Sequence, residues 1–554
     1  MARLAAIDIG SNAIRLRIVD VDPPALGAFG AGWDPALPGP ANGPLEGPRF
    51  HPFRDVHVDR ASVRLGHDVF TKGRLESGVI GAACEALRRF RAAMDAAKVD
   101  RYRAVATSAA REAQNGDLFV ERAAREAGVH IEVIEGVEEA RLVQLAVRER
   151  IALGERTALL VDIGGGSTEL TLLRGRGAVF SRSLPVGTVR MVETFLEDRR
   201  PIDASHRRLI EEYVDRVMVE ATREIVELLG ERAGSGIDLL VGTGGNIETL
   251  ADLCPAPGSP AEGRSIDVAA MSRLLDEMSA RTPEERAQIY GLRPDRADTI
   301  VPAATVLGRI AQAFAQPLIV APGVGLKEGV LVDLAHAHFV GPDFRGEAAA
   351  VSDACTRLGR RYHFDEQHGA LVARFAERLF DDLAPRHRLG PRDRILLRAA
   401  ALLHDVGDFV RYEGHHKHSY YIIIHSDLMG LSPEERALVA NIARYHRKSP
   451  PSMEHDNFRA LSREARAKVK AMASILRIAD ALDREHRAKV AEVTGRIEND
   501  TLVLEVQGGE DRALEEWTVV AKAGMLREAL GLEVRIVDAS PRSHPPLAAA
   551  TAGG

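Results

Sequence analysis

One short pattern occurs at two distant places in this chain and limits the folds that the chain can adopt. An apolar stretch ends in an aspartate and is followed by glycine and hydroxyl residues, first as Ala6-Ile-Asp8-Ile-Gly10-Ser11-Asn12 and again as Leu160-Val-Asp162-Ile-Gly164-Gly165-Gly166-Ser167-Thr168. Either stretch taken singly is also compatible with an ordinary tight hairpin. Their repetition in the same order predicts two similar subdomains, each built around this hairpin.

The glycines in these turns would let backbone N–H groups approach an anion, because glycine has no side chain in the way. If the two turns face each other, they can hold one phosphate chain between them. A third turn, Gly242-Thr-Gly-Gly-Asn246, precedes a helix predicted to begin near Ile247, and its amides would face an anion or a nucleotide unless the turn is only structural. The candidate phosphate-binding residues are Asp8, Ser11, Asn12, Gly164, Gly165, Gly166, Ser167, Thr168, Gly244 and Gly245.

Two stretches between the hairpins supply candidate catalytic residues. The first, residues 106–115, contains Arg111, whose guanidinium group suits bidentate contact with phosphate. The second, residues 133–142, places Glu138 and Glu139 at the start of a helix that follows a strand. Glutamates at a helix start are commonly only partners of the helix dipole, so that interpretation stands beside the catalytic one.

Composition limits the class of protein. A chain of 554 residues exceeds what one hydrophobic core usually organises, and its 45% apolar and 28% charged residues are ordinary for a globular protein. The net charge of −7 argues against nonspecific nucleic-acid binding. Three scattered cysteines favour a reducing compartment, and no stretch resembles a signal or a membrane span, so we expect a cytoplasmic protein without membrane contact.

The alternation of strand and helix patterns predicts an α/β protein with an all-helical part after residue 350. Residues 23–52 hold eight prolines and six glycines, which favours a flexible insertion. The small, proline-rich C-terminus is typical of disorder. The predicted divisions are subdomain I at 1–135 with its insertion at 23–55, subdomain II at 136–340, a helical domain at 350–487, a small α/β domain at 488–540 and a disordered tail at 541–554.

Seven stretches in this order resemble the exopolyphosphatase/guanosine pentaphosphate phosphatase (Ppx/GppA) family, which shares the fold of sugar kinases, heat-shock proteins and actin. The resemblance covers about residues 1–335 and implies two actin-like ATPase (ribonuclease H-like) subdomains and a homodimer. The stretches are Asp8-Ile-Gly-Ser-Asn12, residues 106–113 with Arg111, Gly136 with Glu138-Glu-Ala-Arg-Leu142, Asp162-Ile-Gly-Gly-Gly-Ser-Thr-Glu169, Pro185-Val-Gly-Thr-Val-Arg190, Gly242-Thr-Gly-Gly245 and Gly323-Val-Gly-Leu-Lys-Glu-Gly329.

The resemblance also implies residue roles. Glu139 corresponds to the family's catalytic base, Asp162 and Glu169 to its Mg²⁺ ligands, and Arg111 to a phosphate-binding arginine. These residue types suit phosphoryl transfer to water, which needs a group that orients the water and a hard cation held by oxygen atoms. The proline- and glycine-rich insertion departs from the family pattern but falls after the first hairpin and affects none of these residues.

Histidines are concentrated in the helical region after residue 350. Their order resembles the HD superfamily of metal-dependent phosphohydrolases, which implies a ligand set of His368, His404, Asp405 and Asp480, with His418 and His446 as candidate ligands of a second metal. Mixed imidazole and carboxylate ligands suit Mn, Fe, Zn or Mg. The alternatives are packed histidines without metal and a helical domain that only extends a polyphosphate channel.

Three functions remain open. The leading hypothesis is an exopolyphosphatase that hydrolyses terminal phosphates of inorganic polyphosphate with Mg²⁺, and the second is a guanosine pentaphosphate 5′-phosphohydrolase. The third is a noncatalytic sensor of polyphosphate or nucleotide, which the presence of Glu139, Asp162 and Glu169 disfavours because a sensor needs no base. A kinase acting on polyphosphate, by analogy with the fold, is weaker still.

Overall fold

The computed structural model describes residues 1–22, 53–175, 177–196, 200–230, 236–257, 264–339, 344–509 and 511–538. Most of the predicted insertion at 23–55 and the whole predicted tail at 541–554 lie outside these residues. The prediction is wrong for the last three residues of the insertion, 53–55, because they begin a strand, Phe53–Ala61. That strand pairs with the second strand of the first hairpin, with Phe53 opposite Val21, and this pairing satisfies its backbone groups.

The chain forms two compact units, residues 1–343 and 344–554. The predicted boundaries at 135, 340 and 487 remain predictions. The strands of unit 1 are β1 Ala2–Ile9, β2 Ile14–Val21, β3 Phe53–Ala61, β4 Arg101–Ala106, β5 Ile131–Val133, β6 Thr157–Ile163, β7 Thr168–Arg174, β8 Gly177–Leu184, β9 Leu239–Thr243, β10 Arg264–Asp267 and β11 Leu318–Ala321. Its helices are α1 Leu65–Lys72, α2 Ser77–Ala96, α3 Ser108–Glu112, α4 Gly116–Ala127, α5 Gly136–Arg150, α6 Thr188–Phe195, α7 Ala204–Leu229, α8 Gly245–Leu253, α9 Val268–Ser279, α10 Pro283–Ile289, α11 Pro294–Ala313 and α12 Leu326–Phe339.

Unit 1 contains two sheets of the same topology. The first has the order β3-β2-β1-β4-β5, and the second has β8-β7-β6-β9-β11 with β10 added at its edge. In each sheet an antiparallel meander of three strands is followed by two strands parallel to the first. This is the order of a ribonuclease H-like domain, and its repetition makes unit 1 an actin-like pair of subdomains, as the repeated hairpin predicts.

Three apolar clusters hold the layers of unit 1 together. One lies between the first sheet and α1, α2 and α4, and another lies between the second sheet and α6, α7, α8, α9 and α11. The third cluster includes Leu4 of β1, Leu142 of α5, Leu160 of β6 and Val330 of α12, so α5 and α12 lie between the two sheets. Strands β1 and β6 are apolar on both faces because both of their faces are covered.

Unit 2 is helical as far as residue 482 and then contains a small α/β part. Its helices are α13 Phe344–Arg361, α14 Glu366–Asp382, α15 Ala384–His387, α16 Pro391–Leu403, α17 His415–Ile424, α18 Pro433–Arg444, α19 Asp456–Arg459, α20 Arg463–Ala481, α21 Ala513–Lys522 and α22 Gly524–Leu530, with a 3₁₀ turn at Val406–Phe409. A sheet of β12 Val490–Glu498, β13 Thr501–Gly508 and β14 Glu533–Asp538 has the order β12-β13-β14. Among the described residues, no helix has the length and apolar character needed to cross a membrane.

Candidate functional site

The turns of the two repeated hairpins lie against each other in unit 1. Ser11 is in the turn between β1 and β2, and Gly165 is in the turn between β6 and β7. A Cβ atom at Gly165 would lie only 2.9 Å from Cβ of Ser11, so only glycine permits this approach. The Ser11 hydroxyl also lies 3.0 Å from Oγ of Ser108, which begins α3. The predicted juxtaposition of the two turns is therefore present.

Three carboxylates lie close together beside these turns. Glu139 comes from the first turn of α5, and Asp162 and Glu169 come from the facing positions of β6 and β7. All three side chains are buried, and one oxygen of each lies within 4.8 Å of the others. Oxygen-only ligands of this kind suit Mg²⁺. The family resemblance assigns Glu139 a role separate from the metal ligands, whereas the structure brings its carboxylate into the same group.

Hydrogen bonds position two of these carboxylates and leave specific oxygens free. The hydroxyls of Ser167 and Ser183 each donate to Oε1 of Glu169 at 2.7 Å, and the Thr243 hydroxyl donates to Oδ1 of Asp162 at 2.6 Å. Oε2 of Glu169 and Oε2 of Glu139 are buried and accept no hydrogen bond from any described residue. Buried oxygens without a partner are costly, and a bound cation or water would remove that cost.

Burial also changes the acidity of this group. Burial raises the pKa of Asp162 to about 6. Burial and the nearby charge of Asp162 together raise the pKa of Glu169 to about 7. The pKa of Glu139 is raised well above its usual value by burial and by the charges of Glu169 and Asp162. Burial, the largest of these causes, makes the ionised Glu139 a stronger proton acceptor than an exposed glutamate.

The third glycine turn lies beside the same carboxylates. Gly244 has φ +106° and is so close to the carbonyl of Ile163 that a Cβ atom would lie 2.7 Å from it. Gly245 begins α8, and a Cβ atom there would collide with the guanidinium group of Arg296. Burial lowers the pKa of Arg296 to about 10, to which the nearby charge of Arg15 adds. No sequence motif points to Arg296 as a residue of this site, because only folding brings α11 to this turn.

Other predicted residues have partners in the surrounding protein. Asp8 accepts a hydrogen bond from Arg15 at 2.7 Å, and the Asn12 side chain accepts one from Arg64 at 3.2 Å. Arg111 donates to the carbonyl of Ile134 at 2.6 Å, directly before α5. The Thr168 hydroxyl bonds to a backbone carbonyl, which gives it a structural partner. Gly164 and Gly166 are in the second turn, with Gly166 directly beside Ser108.

Unit 2 brings its histidines together at the ends of helices. His368 is in the first turn of α14, His404 follows α16, and Asp480 is near the end of α20. The Nε2 atoms of His368 and His404 lie 3.2 Å apart, and each lies within 3.8 Å of Oδ1 of Asp480. These side chains are buried. The structure therefore groups the predicted ligands His368, His404 and Asp480.

Asp405 lies between two groups of histidines. Its Oδ2 atom is 3.4 Å from Nε2 of His404, while its Oδ1 atom is 3.0 Å from Nε2 of His415 and 3.3 Å from Nε2 of His446. The two oxygens of one carboxylate thus face two different sets of imidazoles. This arrangement is typical of a carboxylate that bridges two metal ions.

The ring nitrogens that face away from the cluster all have partners. Nδ1 of His368 lies 2.8 Å from Asp483, and Nδ1 of His404 and of His446 lie 2.8 and 2.7 Å from backbone carbonyls. An imidazole that donates Nδ1–H in this way carries its free lone pair on Nε2, which is how metal-ligating histidines are usually oriented. Three imidazoles oriented alike indicate a site built for cations.

Three residues outside the predicted ligand set contact the cluster: His415, His486 and Lys522. Neither the half-buried His418 nor His415 belongs to a candidate metal-binding group of the described residues. Nε2 of His415, however, lies 3.0 Å from Oδ1 of Asp405. His486 stacks on His368 with ring centroids 3.6 Å apart. Lys522 of α21 donates to Oδ2 of Asp480. None of these three contacts could be read from spacing, because they depend on how the helices cross.

Comparison with known proteins agrees with the geometry of unit 1. Residues 47–338, more than half of the chain, match the family model described as the Ppx/GppA phosphatase family. The chain belongs to the Ppx/GppA phosphatase family. Residues 352–525 match a second model, Ppx/GppA phosphatase, domain III. Phosphatases of this family hydrolyse phosphoanhydride bonds, so the chain is an enzyme of this type.

Individual relatives carry more specific names. The guanosine-5′-triphosphate,3′-diphosphate pyrophosphatase of Vibrio campbellii is 27% identical over 73% of this chain and 80% of its own length. The protein of the same name from Aeromonas hydrophila is 26% identical over 91% and 92%. An exopolyphosphatase structure from Cytophaga hutchinsonii, 24% identical, covers 62% of this chain and all of its own, with a TM-score of 0.50. A Ppx/GppA family member from Aquifex aeolicus is 28% identical over 60% and 97%, with a TM-score of 0.45.

We expect Mg²⁺ to stabilise this Ppx/GppA protein through the carboxylates of unit 1. At pH 8 the deprotonated Asp162 and Glu169 destabilise the metal-free fold, since both have raised pKa values. A cation present at a hundred times its Kd adds about 2.7 kcal/mol, which a thermal melt detects as a rise of several degrees. Asp162→Asn with Glu169→Gln should melt higher than wild type without Mg²⁺ and should not respond to it. A variant that still gained stability from Mg²⁺ would place the cation elsewhere.

Proposed function

We propose that unit 1 is an exopolyphosphatase, which hydrolyses the terminal phosphoanhydride bond of inorganic polyphosphate with Mg²⁺. The observation that carries this proposal is the buried group of Glu139, Asp162 and Glu169 beside two facing glycine turns. The turns offer backbone N–H groups to phosphate oxygens, and the carboxylates offer a cation site and a base. Together these groups meet the needs of phosphoryl transfer to water.

In this proposal each residue has one role. Glu139 orients the attacking water and accepts its proton on Oε2, the oxygen that accepts no hydrogen bond from the described residues. Asp162 and Glu169 would hold Mg²⁺, which when bound neutralises charge on the phosphate oxygens. Arg111, held at the start of α5, contacts the equatorial oxygens of the phosphate under attack. Ser11, Asn12, Gly165 and the adjoining turn residues bind the next phosphates of the chain. The noncatalytic sensor remains disfavoured, because a sensor has no need of a buried base.

A second candidate substrate is guanosine pentaphosphate, whose 5′-terminal phosphate presents the same bond. The names of the Vibrio and Aeromonas relatives favour it. So does Arg296, a half-buried cation at the third glycine turn that would contact a second phosphate group on the nucleotide. The same bond breaks in both substrates, and they differ only in the group to which the terminal phosphate is attached.

The experiment compares phosphate release from long-chain polyphosphate and from guanosine pentaphosphate at matched concentrations with Mg²⁺. We expect kcat/KM to be larger for polyphosphate. Arg296→Met should raise KM by about tenfold for the substrate that this arginine contacts, since a lost charge-assisted hydrogen bond weakens binding on that scale. Arg293→Met, an exposed arginine one turn earlier, is the matched control. A larger kcat/KM for the nucleotide would reverse the assignment, and release from neither substrate would refute the proposed activity.

We also propose that unit 2 binds divalent metal as an HD-type phosphohydrolase centre. His368, His404, Asp405 and Asp480 would hold one ion, and Asp405, His415 and His446 would hold a second. Support comes from the Nε2 atoms that face a common point and from the two oxygens of Asp405, which face different histidines. Mn, Fe, Zn and Mg are the candidate ions for this donor set of imidazoles and carboxylates. His418, predicted from sequence, is replaced in this proposal by His415.

Two further expectations remain proposals. A homodimer is what the family resemblance implies. A cytoplasmic location is supported by three buried thiols, Cys84, Cys254 and Cys355, none of them in a disulfide.

A further inference from the structure

Two large aromatic side chains are exposed directly beside the metal-type cluster of unit 2. Phe409 and Tyr412 follow Asp405 in the chain and are 56% and 62% exposed. Their segment is tightly held, because Gly407 is so close to the backbone of His415 that a Cβ atom would lie 2.3 Å from its carbonyl oxygen. The Gly407 N–H also donates to Ser419 at 2.9 Å. The two rings are therefore presented to solvent by a fixed segment.

The Tyr412 ring contacts a residue of the cluster, and the Phe409 ring contacts residues just before α14. The Tyr412 ring meets the His415 ring edge-on with centroids 5.7 Å apart, and the Phe409 ring meets the Tyr362 ring edge-on at 5.5 Å. His415 is the imidazole nearest to Oδ1 of Asp405. An aromatic surface thus adjoins the point at which the proposed second ion would be held.

A cation completes the site. The guanidinium carbon of Arg447 lies 5.6 Å from the centre of the Tyr412 ring, and its Nη1 atom lies 3.2 Å from Nε2 of His415. In the described part of the chain, Arg447 forms no ion pair with a carboxylate. A half-buried arginine of this kind, between an aromatic ring and a cluster of metal-type ligands, is suited to bind a phosphate oxygen.

Single exposed aromatic residues are common and by themselves indicate nothing. Here one ring and an arginine both contact His415, and a second exposed ring follows Asp405 by four residues, so that apolar area and positive charge occur side by side. We propose that Phe409, Tyr412 and Arg447 form a substrate subsite of the unit 2 centre for a phosphate ester that carries a planar ring. This proposal rests on the metal centre proposed above for unit 2. Nucleotides and simple aryl phosphates share this chemistry.

The test measures binding of uncleavable ligands by calorimetry on the full-length protein loaded with Mn²⁺. Phenylphosphonate and methylphosphonate carry the same charged group, and their P–C bonds are not hydrolysed. We expect phenylphosphonate to bind about five- to tenfold more tightly, as stacking of a ring on an aromatic side chain provides. The 5′-phosphonate analogue of adenosine monophosphate separates the two substrate classes. It should bind more tightly than phenylphosphonate if the subsite takes a nucleotide, and with the same affinity as phenylphosphonate if the subsite takes an aryl ester.

The variants separate the ring from the phosphate. Tyr412→Ala and Phe409→Ala should remove the preference for phenylphosphonate, whereas Arg447→Met should weaken both phosphonates equally. Tyr421→Ala is the matched control, because Tyr421 is 65% exposed in the same unit and its ring contacts His425. Equal affinity of the two phosphonates for wild type, or a preference that survives in both alanine variants, would overturn the subsite. Wild type and all of these variants have the same unit 1, so any phosphonate that binds to unit 1 contributes equally to each measurement and does not affect the comparison between them.

Failure of the metal centre can be told apart from failure of the subsite. Metal content is measured on every variant by mass spectrometry, and it should be unchanged in Tyr412→Ala and Phe409→Ala. If wild type binds no Mn²⁺, the metal proposal fails, and the ring preference is then measured on the metal-free protein. A wild type that holds Mn²⁺ but shows no ring preference would refute the subsite alone.

Discussion

Replacing Glu139 by glutamine is expected to lower phosphate release about a thousandfold while leaving substrate binding nearly unchanged. The reason is that Glu139 is buried beside Asp162 and Glu169, and its free Oε2 atom is the proton acceptor of the proposed reaction. General base catalysis contributes on the order of 10² to 10⁴ in rate. The measurement is kcat and KM for polyphosphate at saturating Mg²⁺, and we expect kcat to fall and KM to stay within about twofold.

Glu138 offers a matched control in the same helical turn. Its carboxylate accepts hydrogen bonds from Arg141 at 2.6 Å and from Arg103 at 3.1 Å, and these arginines also pair with Asp333. Glu138→Gln should therefore lower the melting temperature and leave kcat within a few-fold of wild type. If Glu139→Gln retained more than a tenth of the wild-type kcat, another group would have to be the base.

Asp405→Ala is expected to remove both metal ions from unit 2 and to leave phosphate release by unit 1 unchanged. Oδ1 of Asp405 faces two histidines and Oδ2 faces three others, so one substitution takes a ligand from both proposed ions. Burial opposes charge on His404, yet the adjoining Asp405 and Asp480 raise the pKa of this imidazole to about 9. Metal binding would displace that proton, so the affinity should increase with pH up to this range.

His415 and His418, both in α17, provide a more specific test of this prediction. His415→Ala should lower the metal content by the second ion only, because its Nε2 atom faces Oδ1 of Asp405. His418→Ala should leave the metal content unchanged, although sequence order alone favours His418. Elemental analysis of purified variants decides between them, with thermal melts to check folding. A loss of metal in His418→Ala but not in His415→Ala would restore the ligand set predicted from sequence.

Local patterns predict much of unit 1 because its decisive elements are short in sequence. Sequence patterns predict a hairpin over residues 4–20, a strand over 102–107 and a helix over 137–151. The hairpin of β1 and β2, the strand β4 and the helix α5 lie within two residues of these positions. The predicted insertion is three residues too long, since Phe53–Asp55 owe their strand conformation to pairing with β2 rather than to their own composition.

The repeated hairpins, the glycine turns and the order of carboxylates and histidines can be predicted from the sequence, since they depend on residue type and on contacts close in the chain. Three contacts depend on tertiary packing: Glu139 lies with Asp162 and Glu169, Arg296 reaches Gly245, and His415 lies against Asp405. In each case the partners come from different helices or sheets. The packing of the whole unit sets how those elements cross, and these crossings cannot be predicted from residue spacing along the chain.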